Sequence, residues 1–218
     1  MTPTFSWDDK IAILNIGDDE NRFSPEFLDA INEQLDEIQQ AGAEGLVTTA
    51  GNKFYTNGLD LDWLGTYADQ AQSYVAQVQA LLARVLTFPL PTAAGVTGHA
   101  FGAGAMLAMA HDVRVMRADR GFFCFPEVDI RIPFGDGMAA LIQAKLTPRA
   151  AVASMTTGRR FGGEEAAEFG IVDATAAEGE VTAAATDLLR PLGGKDPGTL
   201  GAIKQTMFPA AARALTEV

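Results

Sequence analysis

The chain has 218 residues, enough for one domain that buries a sizeable core. Its formal net charge of −12 disfavours nucleic acid as a partner, because phosphate backbones attract basic surfaces. The single cysteine, Cys124, excludes an intrachain disulfide and suits a reducing compartment. Residues 1–10 do not resemble a signal peptide, and no apolar run reaches the ~20 residues of a membrane span. We therefore expect a cytoplasmic protein with no membrane partner.

Helical and strand patterns alternate along the chain, which predicts an α/β fold. In the first half the predicted elements are a strand at 10–16, a helix from Ser24-Pro25 to Gly42, a strand at 46–49, a polar loop at 51–64 and a helix at 68–86. In the second half they are a strand at 92–96, a glycine-rich turn at 98–104, a helix at 103–110, a strand at 112–116, a weak strand at 170–173 and helices from 181 with a break at 191–197.

Three segments carry the chemistry: residues 53–61 (KFYTNGLDL), 92–112 (TAAGVTGHAFGAGAMLAMAHD) and 122–130 (FFCFPEVDI). Their order, spacing and residues resemble the enoyl-CoA hydratase/isomerase (crotonase) family, and the likeness extends over about residues 8–175. The His111-Asp112 pair and the Glu-Val-Asp-Ile stretch are most similar to the short Δ3,Δ2-enoyl-CoA isomerases. The resemblance implies a crotonase-type spiral of βαβ units over residues 1–175 and a helical C-terminal region over 176–218. It also implies an acyl-CoA thioester as substrate, no metal or redox cofactor (coenzyme A enters as part of the substrate), and a homotrimer or hexamer.

By the same resemblance, Glu127 is the catalytic acid–base residue, and the N–H groups of Leu59 and Ala103 form an oxyanion hole. Two converging N–H donors are what a thioester enolate needs, and glycine turns supply such donors readily. In the hydratases of the family a second glutamate stands where this chain has Met106. Methionine neither holds nor activates water, so one carboxylate is left to move a proton between two carbons. We therefore expect an isomerase, with Phe122, Phe123, Phe125 and Phe134 around Glu127 raising its basicity by desolvation.

Further contacts with the substrate or its coenzyme A portion are expected from Arg22, Lys53, Asn57, Gly58, Asp60, Gly102 and Phe134. Weaker candidates are Lys204 and Phe208, whose contact could be with the coenzyme A of a neighbouring subunit. Asp60 is also expected to cap a helix. His99 and His111 show no metal-ligand spacing and are expected to form structural hydrogen bonds. Cys124 is expected to be a small buried side chain.

Three alternatives stay open at this point. A hydratase or another acyl-CoA reaction would need a second acid, for which Asp129 and Asp136 are the candidates. A catalytically silent acyl-CoA-binding protein would bind the thioester without turnover. An unrelated nucleotide-binding domain is disfavoured, because Gly102-Ala103-Gly104 lacks the third glycine of the dinucleotide motif.

Overall fold

The computed structural model describes residues 2–217 and contains two sheets. The strands, in chain order, are β1 (Thr4–Asp8), β2 (Ile11–Asn15), β3 (Gly45–Thr49), β4 (Phe54–Thr56), β5 (Thr92–Val96), β6 (His99–Phe101), β7 (Val113–Arg117), β8 (Phe123–Cys124) and β9 (Ala174–Ala176). The α-helices are α1 (Pro25–Gln40), α2 (Leu61–Thr66), α3 (Ala71–Leu86), α4 (Ala103–Ala110), α5 (Glu127–Ile130), α6 (Asp136–Lys145), α7 (Pro148–Met155), α8 (Gly163–Glu168), α9 (Val181–Leu189), α10 (Pro197–Met207) and α11 (Pro209–Thr216). Short 3₁₀ turns lie at Ala68–Gln70 and Arg190–Leu192.

The main sheet has the strand order β1-β2-β3-β5-β7-β9, and only the β1–β2 pair is antiparallel. A smaller sheet has the order β4-β6-β8, with all pairs parallel. The chain therefore runs from each of three main-sheet strands to one strand of the small sheet before it returns. This repeated path makes a spiral, since parallel neighbours require a crossover connection.

The burial of each strand and helix explains the sequence pattern that predicted it. Strands β3 and β5 are buried on both faces, as expected for strands covered on two sides. Helix α1 buries one face, made by Leu28, Ile31, Leu35 and Ile38, and begins at Ser24, whose side chain accepts from the N–H of Phe27. Every residue of α4 is buried, because its small side chains allow close packing on all sides.

The predicted α/β fold and most of its elements are confirmed, including the strand at 92–96 and the helix at 103–110. The predicted loop at 51–64 contains β4 and most of α2, and the glycine turn at 98–104 contains β6. The predicted strand at 170–173 is wrong, and β9 lies just after it. Ile171 and Val172 are buried, but their N–H groups both bond to the carbonyl of Ala166 in a turn, so burial rather than extension explains their apolar character.

The C-terminal helices close one side of the molecule. Helix α11 packs against α3 and α6, while α9 packs across β3, β5 and β7 of the main sheet. The boundary near residue 175 stays a prediction. Within residues 2–217, no helix combines the length and the apolar character that a membrane span requires.

Candidate active site

A cavity of about 360 Å³ lies where the strands of the small sheet end. Leu59 follows β4, Ala103 follows β6 and Glu127 follows β8, each within a few residues of its strand. Carboxyl ends of parallel strands meet at one edge of a sheet, which is why residues far apart in sequence come together here. All three residues line this cavity.

Glu127 is the first residue of the short helix α5 and is only 8% exposed. Its Oε2 atom is buried and has no hydrogen-bond partner among residues 2–217. Burial raises the pKa of this carboxyl from 4.5 to about 7, partly offset by a hydrogen bond from its own backbone N–H. A carboxyl with this pKa accepts and releases a proton near neutral pH, which suits an acid–base residue.

The N–H of Leu59 has a fixed direction. The carbonyl of Gly58, in the same peptide group, accepts from the N–H of Phe23 at 2.8 Å. Because a trans peptide points its N–H opposite to its C=O, this bond directs the Leu59 N–H away from Phe23. Within residues 2–217 this N–H donates to no acceptor.

The N–H of Ala103 is a free donor at the start of helix α4. It belongs to the first turn, where backbone N–H groups have no partner inside the helix, and it donates to no group among residues 2–217. The preceding carbonyl, that of Gly102, accepts from the N–H of Met106 at 3.0 Å and so holds the peptide in line with the helix. The helix dipole adds to the positive potential at this point.

Glycine brings the two donors together. A Cβ added to Gly58 would lie 2.7 Å from the carbonyl oxygen of Phe101 and 3.0 Å from the nitrogen of Ala103. Gly58 also has φ +77, and Gly102 has φ +52, a region that side chains with a Cβ rarely adopt. A Cβ on Gly102 would lie 3.5 Å from Oε1 of Glu127, so the carboxyl borders the same turn. The structure thus brings a base and two donors to one cavity.

The remaining cavity wall is mainly apolar. It includes Met106, 1% exposed, at the position where the resemblance placed a second glutamate in the hydratases. Of the four predicted phenylalanines, only Phe134 lines the cavity. Phe123 and Phe125 are buried in the core instead, and Phe122 is 38% exposed with its ring against His99. The other apolar lining residues were not predicted to face a site: Leu61, Phe101, Pro126, Ile130, Ile132, Pro133 and Met138.

Two arginines line the cavity and differ in their partners. Arg22, predicted to contact coenzyme A, donates at 2.5 Å to Glu20 and at 2.5 Å to Asp62. Arg160, which the sequence analysis did not identify, forms no ion pair within the described residues 2–217, and its guanidinium lies over the ring of Phe101 at 5.7 Å. Its neighbour Phe161 pairs with Phe123 through backbone hydrogen bonds, which anchors the segment. The sequence offered no signal that this basic residue would face the cavity.

Some of the other predicted contact residues line the cavity and others do not. Asn57 lines the cavity, as do Gly102 and Phe134, and Gly58 shapes the hole without lining it. Asp60 caps α2 by accepting from the N–H of Trp63 at 3.1 Å, which confirms its structural role. Lys53 lies outside this cavity, with its ammonium 5.1 Å from the ring centre of Phe54.

The two weaker candidates near the C-terminus have other partners. Lys204 is 3% exposed and donates to the carbonyl of Leu90 at 2.7 Å and to Asp112 at 2.6 Å. Phe208 lies beside the ammonium of Lys145 at 5.2 Å. Neither residue lines the cavity of its own chain, so a contact with coenzyme A bound to a neighbouring subunit stays a prediction. A salt bridge that joins α10 to the chain before β7 explains the buried lysine better.

The rival acids lie elsewhere. Asp129 is exposed and its carboxylate lies against Gly158, and Asp136 is exposed at the start of α6. Asp62 lines the cavity but is exposed and bound to Arg22. Glu127 is therefore the only buried carboxylate that the described residues contribute to the cavity.

The two histidines have different surroundings. His111 is fully buried between Thr48, at 2.9 Å from Nε2, and the carbonyl of Leu107, at 2.8 Å from Nδ1, as a structural residue should be. The prediction is wrong for His99, whose buried Nδ1 has no partner among residues 2–217. Its ring stacks on Phe101 at 5.1 Å instead.

Cys124 is the single cysteine of the chain. Cys124 is buried, donates to the carbonyl of Gly158 at 3.3 Å, and has its pKa raised to about 11 by burial, so it is the inert small side chain that was expected. Among residues 2–217, no three His, Cys, Asp or Glu side chains form a group that could hold a metal ion.

Comparisons with known proteins concern the family and the fold. The model of the family described as enoyl-CoA hydratase/isomerase matches residues 9–218. Enoyl-CoA delta isomerase 2, peroxisomal, of Arabidopsis thaliana is 36% identical over 181 residues, covering 79% of this chain and 75% of that protein. A solved structure of probable enoyl-CoA hydratase EchA3 from Mycobacterium tuberculosis superposes with a TM-score of 0.92 at 25% identity, covering 100% of this chain and 92% of the other.

A third likeness concerns the fold alone. Human mitochondrial delta3-delta2-enoyl-CoA isomerase superposes with a TM-score of 0.90 at 22% identity, covering 100% of this chain and 87% of that chain. The crotonase-type spiral predicted from three short motifs is thereby confirmed. The chain belongs to the enoyl-CoA hydratase/isomerase family.

Proposed function

We propose that the protein is an enoyl-CoA isomerase that converts a 3-enoyl-CoA into the 2-trans-enoyl-CoA. One observation carries the proposal: the cavity holds a single buried, unpartnered carboxylate, Glu127, beside two unoccupied N–H donors, and Met106 stands where a hydratase of the family has its second acid. The Arabidopsis relative, named as a delta isomerase, supports the same reaction.

The reaction begins with removal of a proton from C2 of the substrate. The ionised carboxylate of Glu127 takes this proton, and the electron pair spreads over C2, C4 and the thioester oxygen as a dienolate. The N–H groups of Leu59 and Ala103 donate to that oxygen, where charge develops. Donors already fixed in place stabilise such charge without reorganisation, and removal of one typically reduces the rate ~10² to 10³-fold.

The second step returns the same proton at C4. The carboxyl of Glu127 releases it, the double bond settles between C2 and C3, and Glu127 is again ionised. A pKa of about 7 suits both steps, because neither the acid nor the base form is strongly favoured at neutral pH. No second acid is needed, since no water is added.

Substrate binding follows from the cavity wall. Leu61, Ile130 and Ile132 are exposed apolar side chains at this cavity, and an acyl chain would cover them. Arg160 is the cavity arginine that no carboxylate neutralises, so we assign it to an anionic part of the coenzyme A thioester. Arg22, Asn57, Gly58, Gly102 and Phe134 stay proposed contacts. An assembly of three or six copies also stays a prediction.

The test is direct. Purified protein is mixed with a 3-enoyl-CoA of medium chain length, and ultraviolet absorbance follows the conjugated product. Glu127→Gln should lower the rate ~10² to 10⁴-fold, because the proton carrier is lost. Asp129→Asn, in the same short helix but exposed, is the matched control and should keep wild-type activity.

Other outcomes would contradict the proposal in distinct ways. Hydration of 2-trans-enoyl-CoA at a rate above isomerisation would show a hydratase. Thioester binding without turnover, unaffected by Glu127→Gln, would show a binding protein. Equal loss of activity in both variants would remove Glu127 from its assigned role.

A further inference from the structure

We propose that Tyr74 is a positioning residue of the oxyanion hole, which it controls through the backbone next to Leu59. The inference rests on the proposed function, because it assumes that the Leu59 N–H meets the thioester oxygen. Tyr74 does not line the cavity, so any effect on catalysis must pass through another residue.

The contact is a single hydrogen bond. The hydroxyl of Tyr74 accepts from the N–H of Asp60 at 2.8 Å. Tyr74 lies in helix α3 and is 1% exposed, and its ring lies 4.9 Å from that of Trp63. Burial is the main cause that raises its pKa to about 12, so the hydroxyl stays neutral across the working pH range. The acceptor is thus fixed in place and constant in charge.

Leu59 is held from both sides. The peptide before it is fixed by the bond from Phe23 to the carbonyl of Gly58, at 2.8 Å, and the peptide after it by the bond to Tyr74. Because peptide groups are planar, fixing the two planes fixes both backbone angles of Leu59. The first bond joins backbone to backbone, but the second depends on one side-chain oxygen.

Loss of that oxygen would leave the Asp60 N–H without this acceptor and loosen the peptide after Leu59, which the β-bridge between Phe23 and Leu59 would then hold alone. The Ala103 donor has no such dependence, since its orientation comes from the helix itself. Removing the Tyr74 hydroxyl should therefore disturb one donor of the two. A misplaced donor costs less than a deleted one, so we expect roughly a tenfold loss, below the ~10² to 10³-fold for full removal.

The experiment compares Tyr74→Phe with Tyr55→Phe. Tyr55 is also fully buried, and its hydroxyl makes one side-chain hydrogen bond, at 2.7 Å to Thr48, away from the cavity. Both variants lose one buried hydroxyl and keep the ring. Tyr74→Phe should lower kcat about tenfold with KM within about twofold, whereas Tyr55→Phe should keep both, because only the former acts on transition-state stabilisation.

A second measurement, of the absorbance of the bound thioester, reports on the oxyanion hole directly. A 2-trans-enoyl thioester bound to the protein absorbs at longer wavelength when donors polarise its carbonyl, and Glu127→Gln is the background that prevents turnover. Tyr74→Phe should reduce this red shift and Tyr55→Phe should not. A structural role alone would lower the melting temperature without changing the spectrum.

The outcomes separate the two proposals. If wild-type protein binds the thioester with a red shift but does not isomerise 3-enoyl-CoA, the proposed function fails while the spectrum still tests Tyr74. Wild-type kcat and red shift in Tyr74→Phe would overturn the positioning role. Equal kcat losses in the two tyrosine variants would overturn it as well.

Discussion

Two of the regions that contain buried polar groups differ in whether those groups have partners. The first is an anchoring network made by Thr48, Tyr55, His111, Asp112 and Lys204. Thr48 joins Tyr55 at 2.7 Å to His111 at 2.9 Å, and Asp112 accepts from Lys204 at 2.6 Å and from the N–H of Thr92 at 2.8 Å. Each side chain of this network has a polar partner.

The second region is the cavity, where Glu127 lacks a partner for Oε2 and the N–H groups of Leu59 and Ala103 donate to nothing within residues 2–217. An unpartnered buried polar group costs about 1–3 kcal/mol, so folding alone would not favour this arrangement. Burial of polar groups thus has two meanings here. In the anchoring network the saturated groups hold the fold together, and in the cavity the unsaturated groups are available to a ligand.

Burial shifts the pKa of His111 in the network and that of Glu127 in the cavity so that each neutral form is favoured. The pKa of His111 falls to about 4, and that of Glu127 rises to about 7. His111 has a contact at each ring nitrogen and stays neutral, whereas Oε2 of Glu127 can take up or release a proton without breaking a hydrogen bond. Variants in each region should therefore separate activity from stability.

Apart from the loss of Glu127 itself, the largest effect on activity is expected from Gly58→Ala. The new methyl group would lie 2.7 Å from the carbonyl of Phe101 and push the two donors apart, so we expect a kcat loss of roughly 10²-fold. Gly42→Ala is the matched control, because Gly42 has a similar φ of +75 but no atom within 4 Å of the added Cβ. Steady-state kinetics of both variants test this. Similar activity in the two would show that the close approach does not matter.

The next prediction concerns how the free energy of unfolding depends on pH. The pKa of Glu127 is higher in the folded state, about 7, than its ordinary value of 4.5, so stability falls as pH rises through that interval, by roughly 3 kcal/mol in all. Glu127→Gln removes this pH-dependent contribution to the free energy of unfolding. Urea denaturation at pH 5 and pH 8 should show the variant gaining relative to wild type at pH 8. A pH-independent difference would contradict the raised pKa.

A smaller effect, about 2–3 kcal/mol, is expected from Lys204→Met. The change removes the lysine ammonium from the carbonyl of Leu90 and the carboxylate of Asp112, but Asp112 keeps the N–H of Thr92 and is 28% exposed, so water offsets part of the loss. Activity per folded molecule should not change, because Lys204 lies outside the cavity. Denaturation with urea tests this, with the exposed Lys195→Met as control. A selective loss of activity would return Lys204 to the substrate site.

The smallest effect is expected from Met106→Glu, which adds a second carboxylate to the cavity. Like charges raise the pKa of Glu127 further, so the rate at pH 7 should fall roughly tenfold, equivalent to ~1.4 kcal/mol. The pH at half-maximal rate should move upward. Loss of 2-trans-enoyl-CoA by hydration, measured in the same variant, would show that this position alone determines which reaction occurs. An unchanged pH profile would place the new carboxylate away from Glu127.

The sequence predicted the long, strongly patterned parts of the fold. Helix α1 and strand β5 show a periodic face or a fully apolar run, and both were located within a residue or two. Strands β4, β6 and β8 have two or three residues each, too short for a pattern. These short strands place the functional residues, so the site came from motifs rather than from periodicity.

The candidate site was predicted unevenly for a physical reason. Glu127 was identifiable because an acid among phenylalanines is unusual, and Leu59 and Ala103 followed from the family resemblance. Arg160 and Tyr74 were missed, since their importance depends on which backbone lies beside them in space. Lys204 was predicted only as a weak contact of coenzyme A, because its partner Asp112 lies far away in sequence and the buried ion pair could not be recognised.

The spiral path has a consequence for how this molecule changes over evolutionary time. Successive turns each deliver one functional group just after a strand of the small sheet: a donor after β4, a donor after β6 and the base after β8. Leu59 lies in a loop, whereas Ala103 and Glu127 each begin a helix, and the strands beneath are held by backbone bonds that most side chains permit. A substitution in one of these segments, away from the close contact at Gly58, therefore alters one chemical role and leaves the other two, so new reactions can arise here one segment at a time.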